Sequence, residues 1–444
     1  MNNITSLYKR HKIIYTDPVP GKFNNIRIFS MSFVTLFFFI LPWITYNKRQ
    51  AIIFDISNIK FYFFNFIFWP QDFIFFAMII IILILSLFAV TVYTGRIWCG
   101  FLCPQSIWIR IVNFITRNIE GNRIKRFKND NIKHTKKIIY KKILKHSIII
   151  LFSFLTALTF IGYFFPIKNV INVNINSFIF FWIIFFTLII YFNIYWFKEQ
   201  FCFLVCPYAR LQCVMFDEQT LIVTYDEKRG EKRGHRNKID DYKSKNLGDC
   251  IDCKKCVTCC PTGIDIRDGL QIECISCAAC IDACDTVMKK MNYPPGLIKY
   301  SKEYNNSKDL NIRFLAYLII LFLIVFILLF CLSKRDLIQL NISRNQTELY
   351  NINKEKNIEN FYILKITNKS NQLNKYNISL CEKNYIYNGL KNIILNPEEI
   401  LKIEIKISSK NFINKKFDEI SLKIENLNDK NDYIIKKTKF ISPN

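Results

Sequence analysis

The sequence contains very little histidine, and this limits the redox centres that it can build. Only four of the 444 residues are histidine, namely His11, His134, His146 and His235. None of them lies inside an apolar stretch of the sequence. A haem buried in a membrane and held by two imidazoles needs histidines on apolar helices. The sequence therefore argues against a membrane cytochrome of this type.

Acidic residues are fewer than basic ones, and the N-terminal segment does not have the pattern of an export signal. The chain carries 61 Lys and Arg against 35 Asp and Glu, which gives a formal net charge of +26. Residues 1–27 are polar and basic, and no small-residue cleavage site follows them, so we expect no cleaved signal peptide. Basic and aromatic residues are not interleaved in any soluble stretch, so we expect no nucleic-acid partner.

Long apolar runs are abundant. Hydrophobic residues make up 51% of the chain and include 42 Phe. This content coexists with a high charge because the two are segregated along the chain, which is typical of a membrane protein. The aromatic segment 61–69 is too short to span and is expected at the membrane interface. Five runs are long enough to cross a bilayer, at residues 28–46, 73–93, 147–166, 178–197 and 313–332.

The distribution of charge predicts the orientation of these spans. Residues 110–145, between the second and third spans, hold twelve Lys or Arg but only two acids. Under the positive-inside rule this loop lies in the cytoplasm, and the basic segment 1–27 agrees. An odd number of spans then places residues 333–444 in the periplasm of a bacterium whose inner membrane holds the protein.

The four-span membrane domain, residues 28–212, reads as a duplicated helical hairpin, because each half ends in C-x3-C-P. If the helix continues through each motif, the two thiols of a pair lie on one face, about 6 Å apart. Paired thiolates suit Cu(I), or they could cycle between dithiol and disulfide. Arg96 and Arg210 are expected to stabilise the thiolates; Cys213 could join the second pair, and simple packing is the alternative role. The four cysteines are Cys99, Cys103, Cys202 and Cys206.

The densest feature is the stretch 250–284, which holds nine of the sixteen cysteines. It contains two overlapping copies of C-x2-C-x2-C-x3-C, the doubled spacing of a bacterial ferredoxin with two [4Fe–4S] clusters. In that arrangement the fourth cysteine of each run serves the other run's cluster. The first cluster is assigned to Cys250, Cys253, Cys256 and Cys284. The second cluster is assigned to Cys274, Cys277, Cys280 and Cys260.

Two other uses of these cysteines fit less well. A zinc site usually takes two C-x2-C pairs separated by a longer gap, not three closely spaced cysteines followed by Cys-Pro. Disulfides suit small secreted chains. Cys259 is left over in this scheme and is expected to be a small buried side chain.

Composition also predicts the remaining domain boundaries. Residues 213–248 are polar and read as a charged linker, followed by the ferredoxin domain at 249–300 and the fifth transmembrane helix at 313–332. Residues 333–444 alternate apolar and polar side chains between Asn-rich turns, which is typical of short antiparallel strands. About a hundred such residues suit a β-sandwich. This stretch holds one cysteine, Cys381, so an internal disulfide is not possible.

Several of these motifs resemble one family. The series G-R-I-W-C-G-F-L-C-P-Q at 95–105, C-P-Y-A-R-L-Q at 206–212 and the cysteine-rich stretch that follows are similar to the cytochrome c oxidase accessory protein CcoG, also called FixG or RdxA. The resemblance implies an immunoglobulin-like C-terminal domain. It also implies a cupric-reductase-type oxidoreductase that reduces Cu(II) to Cu(I) for assembly of a cbb3-type oxidase. The oxidase or its assembly factors, and a cytoplasmic electron donor, would then be the partners.

Two other functions remain open at this stage. Quinol dehydrogenases that feed periplasmic reductases share four spans, C-x3-C-P motifs and a similar ferredoxin, and they differ in lacking the fifth span and the outer β-domain. The third hypothesis is a non-enzymatic assembly scaffold or copper chaperone, in which the clusters are structural and the β-domain docks the oxidase.

Overall fold

The architecture is that of a computed structural model of the chain. It divides into two compact units, a membrane unit up to Phe326 and a β-sandwich unit from Ile327. His11 and His134 lie outside the described residues, as does the side chain of Cys213. The structure describes residues 14–47, 49–56, 59–64, 66–131, 135–171, 177–217, 219–236, 246–302, 312–344, 350–353, 357–370, 372–410, 417–428 and 432–442.

The apolar runs of the sequence form long helices in the described residues. Away from the helix ends, the backbone N–H and C=O groups pair within their own helix, which is what a lipid environment requires. Short π-helical turns follow at Phe192–Phe197 and Phe201–Val205. The α-helices are α1 (Lys22–Ile40), α2 (Phe73–Thr94), α3 (Ile97–Phe101), α4 (Pro104–Glu120), α5 (Arg123–Asn131), α6 (Lys136–Ile161), α7 (Ile167–Ile171), α8 (Ser177–Tyr191), α9 (Pro207–Met215), α10 (Glu227–Gly230), α11 (Lys255–Thr258), α12 (Ala279–Met291) and α13 (Ile312–Ser333).

Among the described residues, five helical segments are long and apolar enough to cross a membrane, as the sequence predicts, so the protein is membrane-integrated. They lie at Lys22–Trp43, Phe73–Thr94, Lys136–Ile161, Ser177–Phe197 and Ile312–Ser333. The second, fourth and fifth agree with the predicted spans to within one residue at each end. The first and third begin earlier than predicted, because their polar and basic first turns still take helical geometry.

The strands of the described residues form three groups: small sheets between the first two spans, one strand pair in the ferredoxin region, and the two sheets of the β-sandwich unit. In the membrane unit, β1 pairs with β2, and β3, β4 and β5 form a small antiparallel sheet, so the aromatic segment expected at the interface is largely extended. The strands are β1 (Thr45–Tyr46), β2 (Arg49–Gln50), β3 (Ile52–Asp55), β4 (Lys60–Phe63), β5 (Phe66–Phe68), β6 (Ile222–Tyr225), β7 (Ile298–Ser301), β8 (Ile338–Arg344), β9 (Asn351–Ile352), β10 (Ile358–Asn368), β11 (Asn374–Leu380), β12 (Tyr385–Asn388), β13 (Asn392–Leu395), β14 (Ile400–Ser409), β15 (Phe417–Asn426) and β16 (Tyr433–Ile441).

The strand pair β6–β7 closes the ferredoxin region. It joins Ile222 to Ser301 and Tyr225 to Ile298 in antiparallel register. The structure thus places part of the expected 213–248 linker inside the ferredoxin fold, because β6 supplies an edge that β7 needs for its hydrogen bonds.

The β-sandwich unit has two antiparallel sheets. One has the order β12-β14-β10-β8, with β9 on the edge of β10, and the other has the order β13-β11-β15-β16. The predicted alternation is visible in the burial of β15, where Ile420, Leu422 and Ile424 are fully buried and the residues between them are more exposed. These side chains pack with Leu364 and Phe440 in one core, as expected of an immunoglobulin-like β-sandwich.

Candidate functional site

The two cysteine runs adopt the same backbone conformation. The residues on either side of each middle cysteine take left-handed φ angles, at Asp252 (50°) and Lys254 (54°) in the first run and at Ser276 (51°) and Ala278 (58°) in the second. Non-glycine residues rarely adopt this conformation, and it persists only where the surroundings enforce it. Each loop therefore curls tightly around its own centre.

A cavity opens inside the first loop. Its lining includes all four cysteines assigned to the first cluster, of which Cys284 comes from the other run. Burial raises the pKa of the Cys284 thiol to about 12, and the thiols of Cys256, Cys250 and Cys253 add to the effect because they lie nearby. The fold thus brings Cys284 across from α12 to the first loop, as the crossed pattern requires.

The second loop surrounds an equivalent cavity. Cys274, Cys277 and Cys280 line it together with Cys260, which comes from the first run. Burial raises the pKa of Cys274 to about 11, and the neighbouring thiols of Cys277 and Cys260 contribute. Four thiols around each of two cavities are the donor set that a cubane cluster takes.

Cys259 lines neither of these two cavities. It is 5% exposed and packs against Val19, Ala279 and Ala283. Its thiol donates a hydrogen bond to the carbonyl oxygen of Cys256, at 3.4 Å. These contacts describe a packed side chain.

The two C-x3-C-P motifs also fold alike, but not as continuous helices. A residue with left-handed φ lies four positions before each first cysteine, Gly95 (58°) before Cys99 and Lys198 (45°) before Cys202. The second cysteine of each motif is extended and caps the helix that the following proline begins, namely α4 or α9. The expectation that the transmembrane helix runs through both cysteines of a pair is therefore wrong, because Gly95 and Lys198 interrupt it.

The motifs nevertheless converge. Burial raises the pKa of Cys99 to about 12, with contributions from Cys103 and Cys206, and burial raises that of Cys202 to about 12, with contributions from Cys103 and Cys99. All four thiols are therefore neighbours. Within the described ranges, no three His, Cys, Asp or Glu side chains lie close enough to hold a single metal ion.

The arginines near the motifs do not dominate the thiol chemistry. Arg96 is buried and lowers the pKa of Cys99, but burial outweighs it. Its guanidinium donates to the carbonyl oxygens of Ala209 and Ile272 instead. Arg210 donates to the carbonyl oxygen of Leu204. Arg96 thus favours the Cys99 thiolate, in the expected direction, but burial has the larger effect and raises the pKa of the free thiol.

Backbone contact joins the first C-x3-C-P motif to the second cluster loop. A Cβ added at Gly100 would lie 2.8 Å from the Cα atom of Cys277 and 2.8 Å from the carbonyl oxygen of Ile275. Only glycine allows the two backbones to approach this closely. Sequence reasoning missed Gly100, although its place between Cys99 and Cys103 is a signal that could have found it.

A second contact fixes the ferredoxin region to the first membrane helix. The carboxylate of Asp282, on α12, accepts hydrogen bonds from the backbone N–H groups of Phe23 (3.2 Å) and Asn24 (2.7 Å). These are among the N–H groups that the first turn of a helix leaves unpaired. Asp282 thus acts as an N-cap from another part of the chain, a role that no local sequence pattern indicates.

Models of known protein families match three stretches of the chain. A model described as "4Fe-4S dicluster domain" matches residues 197–303, and one described as "IG-like fold at C-terminal of FixG" matches residues 328–443. A third, described as "4Fe-4S binding domain", matches residues 75–121. That stretch holds only Cys99 and Cys103, so any four-thiolate cluster there would need two more cysteines from elsewhere.

Whole-chain relatives extend the match. Protein RdxB of Cereibacter sphaeroides is 32% identical over 398 residues, covering 85% of this chain and 83% of its own length. Nitrogen fixation protein FixG of Rhizobium meliloti is 30% identical over 407 residues, covering 82% and 78%. Protein RdxA of Cereibacter sphaeroides is 31% identical over 303 residues, covering 66% and 63%. The chain therefore belongs to the FixG/RdxA family and is a membrane-integrated iron–sulfur protein.

Proposed function

We propose that this protein passes single electrons from two [4Fe–4S] clusters to Cu(II), and that the Cu(I) produced serves assembly of a cbb3-type cytochrome c oxidase. The observation that carries the proposal is the contact of Gly100 with the backbone of Cys277. It sets a dithiol motif against a cluster loop, so that electron donor and copper-binding thiols are adjacent. The ligands of the two clusters are the two crossed cysteine sets.

The cluster cavities fit their proposed contents. Each is lined by the four thiols assigned to it, three from one loop and one from the other run, and Cys256 also borders the second cavity. When bound, the clusters supply one electron each for the reduction of copper. The thiols must lose their protons to ligate iron, and burial raises their pKa, so loading is expected to release protons.

Copper is the substrate in this scheme. Thiolates are soft ligands and favour Cu(I) over Cu(II), which makes reduction of bound copper more favourable. Cys99 and Cys202 are protonated as free thiols, so copper must displace their protons on binding. Each Cu(II) takes up one electron, and the product leaves as Cu(I). We place this site, with the ferredoxin region, on the cytoplasmic face, because residues 110–145 are so basic.

The proposal can be tested with the full-length protein reconstituted in lipid. The clusters are reduced, excess reductant is removed, and Cu(II) is added with a Cu(I)-selective chelator. We expect about two Cu(I) per chain, together with loss of the cluster EPR signal. The variant in which Cys99, Cys103, Cys202 and Cys206 are all serine should react far more slowly.

Two controls make the result specific. A Cys331→Ser, Cys381→Ser double variant removes thiols outside both motifs and should behave as wild type. In the second control, Cu(II) is added to protein whose clusters are oxidised, so that any Cu(I) formed comes from direct oxidation of thiols. If the quadruple variant were reoxidised by Cu(II) at the wild-type rate, the thiols would have no part in the reaction. Cluster reduction by quinol without any response to copper would select a quinol dehydrogenase, and clusters inert to every partner would select a scaffold.

A further inference from the structure

The membrane unit contains a large cavity beside the second cluster loop. Its volume is about 930 Å³, within the range of sites that hold small organic molecules. Its walls come from residues 16–20, the first turns of α1, helix α4 and the loop 259–262. Cys277 and Cys202 also line it, so it borders both groups of cysteines. The copper chemistry proposed above uses these two cysteines but gives no role to the rest of the cavity.

Four arginines line the cavity: Arg27, Arg110, Arg117 and Arg126. They come from α1, which carries Arg27, and from the consecutive helices α4 and α5, which carry the other three. Burial lowers the pKa of Arg110 to about 10, and the nearby charge of Arg27 adds to this effect. The positive charges therefore repel one another within the cavity, and a bound anion would reduce this repulsion.

Carboxylates neutralise only part of this group, since Arg27 lies 4.0 Å from the carboxylate of Asp282. Two acidic side chains, Asp17 and Glu199, line the cavity, and Asp17 lies 3.8 Å from Arg123, which is not part of the lining. Arg110 donates to the amide oxygen of Asn24, at 2.6 Å. Among the described residues, neither Arg110 nor Arg117 forms an ion pair with a carboxylate. The cavity therefore keeps an excess of positive charge.

Arg126 provides an independent sign of a missing ligand. It is 6% exposed, yet its Nε–H has no hydrogen-bond partner among the described residues. One of its other nitrogens donates to the carbonyl oxygen of Thr16, at 3.3 Å. A buried guanidinium donor without an acceptor is costly. An anion in the cavity would supply the acceptor.

Much of the rest of the wall is apolar. Met31, Ile107 and Phe114 are among the side chains that line it. An inorganic anion alone would leave this surface uncovered, whereas an amphipathic ligand would cover it. Arginine is the side chain best suited to phosphate, because its planar fork donates two parallel hydrogen bonds.

We propose that this cavity binds the phosphate group of an amphipathic organic phosphate, with Arg110, Arg117 and Arg126 as its donors. The phosphate has two sources, an anionic phospholipid headgroup or a free phosphate compound. Arg27 and Arg110 are the arginines that lower the pKa of the Cys277 thiol against the larger effect of burial. Arg126 interacts with a different set of groups, led by Glu120 and Tyr15.

The test uses the full-length, cluster-loaded protein after delipidation in a non-ionic detergent. One arm adds phosphatidylglycerol or phosphatidylcholine and counts retained lipids by native mass spectrometry. The other arm titrates inorganic phosphate by calorimetry. We expect binding in one arm to fall by on the order of tenfold or more in an Arg110→Gln, Arg117→Gln variant, because each contact to phosphate is charge-assisted.

Matched variants keep the test decisive. Lys125→Gln with Lys128→Gln removes two exposed charges from neighbouring α5, outside the cavity, and should bind as wild type. Arg117→Lys retains the charge and should restore part of the binding lost in Arg117→Gln, even if the double variant is poorly folded. Arginine-dependent retention of phosphatidylglycerol identifies the lipid source, and arginine-dependent phosphate binding alone identifies the free compound. Binding in neither arm, or binding that these arginines do not affect, would overturn the proposal.

Discussion

Asp282 is expected to hold the ferredoxin region against the first membrane helix, and Asp282→Asn tests this directly. The side chain is buried, and its two oxygens accept from the N–H groups of Phe23 and Asn24. A guanidinium nitrogen of Arg27, which like Phe23 and Asn24 lies on α1, is 4.0 Å from the Asp282 carboxylate. Gly21, the N-cap of α1, makes no side-chain cap of its own, and a Cβ there would lie 2.3 Å from Asp282 Cγ.

The expected size of the effect follows from these contacts. Asparagine keeps one acceptor oxygen but presents an NH₂ group to the second backbone N–H, so one hydrogen bond is lost. A hydrogen bond to a charged group contributes about 1.5–3 kcal/mol. Each 1.4 kcal/mol changes an equilibrium about tenfold. Amide hydrogen exchange in the first turn of α1 should therefore become about 10- to 150-fold faster, and the lost charge at the helix N-terminus adds to this effect.

Hydrogen exchange with mass spectrometry on the reconstituted protein measures the change over residues 20–30. Asp285→Asn is the matched control, because Asp285 accepts from the backbone N–H of Gly296 (2.9 Å), inside the ferredoxin region. It should leave α1 unchanged. Equal exchange in α1 for wild type and Asp282→Asn, or an equal effect of both substitutions, would refute the capping role.

Four further substitutions, one of them a control, have defined outcomes. Gly100→Ala should destabilise the membrane unit by about 1–3 kcal/mol through its clash with Cys277, measured by thermal unfolding, whereas a helical glycine with free space would be stabilised by alanine. Cys284→Ala should lower the iron content below the wild-type value of about eight per chain, and Cys259→Ala should not; equal iron in both variants would contradict the crossed assignment. Leu364→Ala, fully buried in the sandwich core, should cost about 2–5 kcal/mol and make the β-sandwich unit sensitive to protease at lower urea; an unchanged urea midpoint would contradict its place in that core.

The membrane spans could be predicted from the sequence because the information is local. About 20 consecutive apolar residues satisfy a bilayer whatever surrounds them. The ends of the spans could be predicted less accurately, as the early start of α6 shows, because basic residues at the membrane surface form helix as readily as apolar ones. The alternation of apolar and polar side chains in β14 and β15 could equally be predicted, since one face of each strand is buried in the core.

The C-x3-C-P motifs show where local reasoning fails. Spacing alone suggested one helical face, but the left-handed residues at 95 and 198 end the helix before each first cysteine. Lysine has no special preference for that conformation, so nothing at position 198 signals the break. Only the packing around the segment enforces it.

By itself, the sequence determined which residues are apolar, which cysteines share a run, and where strands alternate. These are properties of neighbours along the chain, and their periods are fixed by helix and strand geometry. Tertiary structure alone decided that Gly100 packs on Cys277, that Asp282 caps α1, and that four arginines share one cavity. These contacts join residues tens to hundreds of positions apart, and their energy depends on how whole elements pack, which no local pattern records.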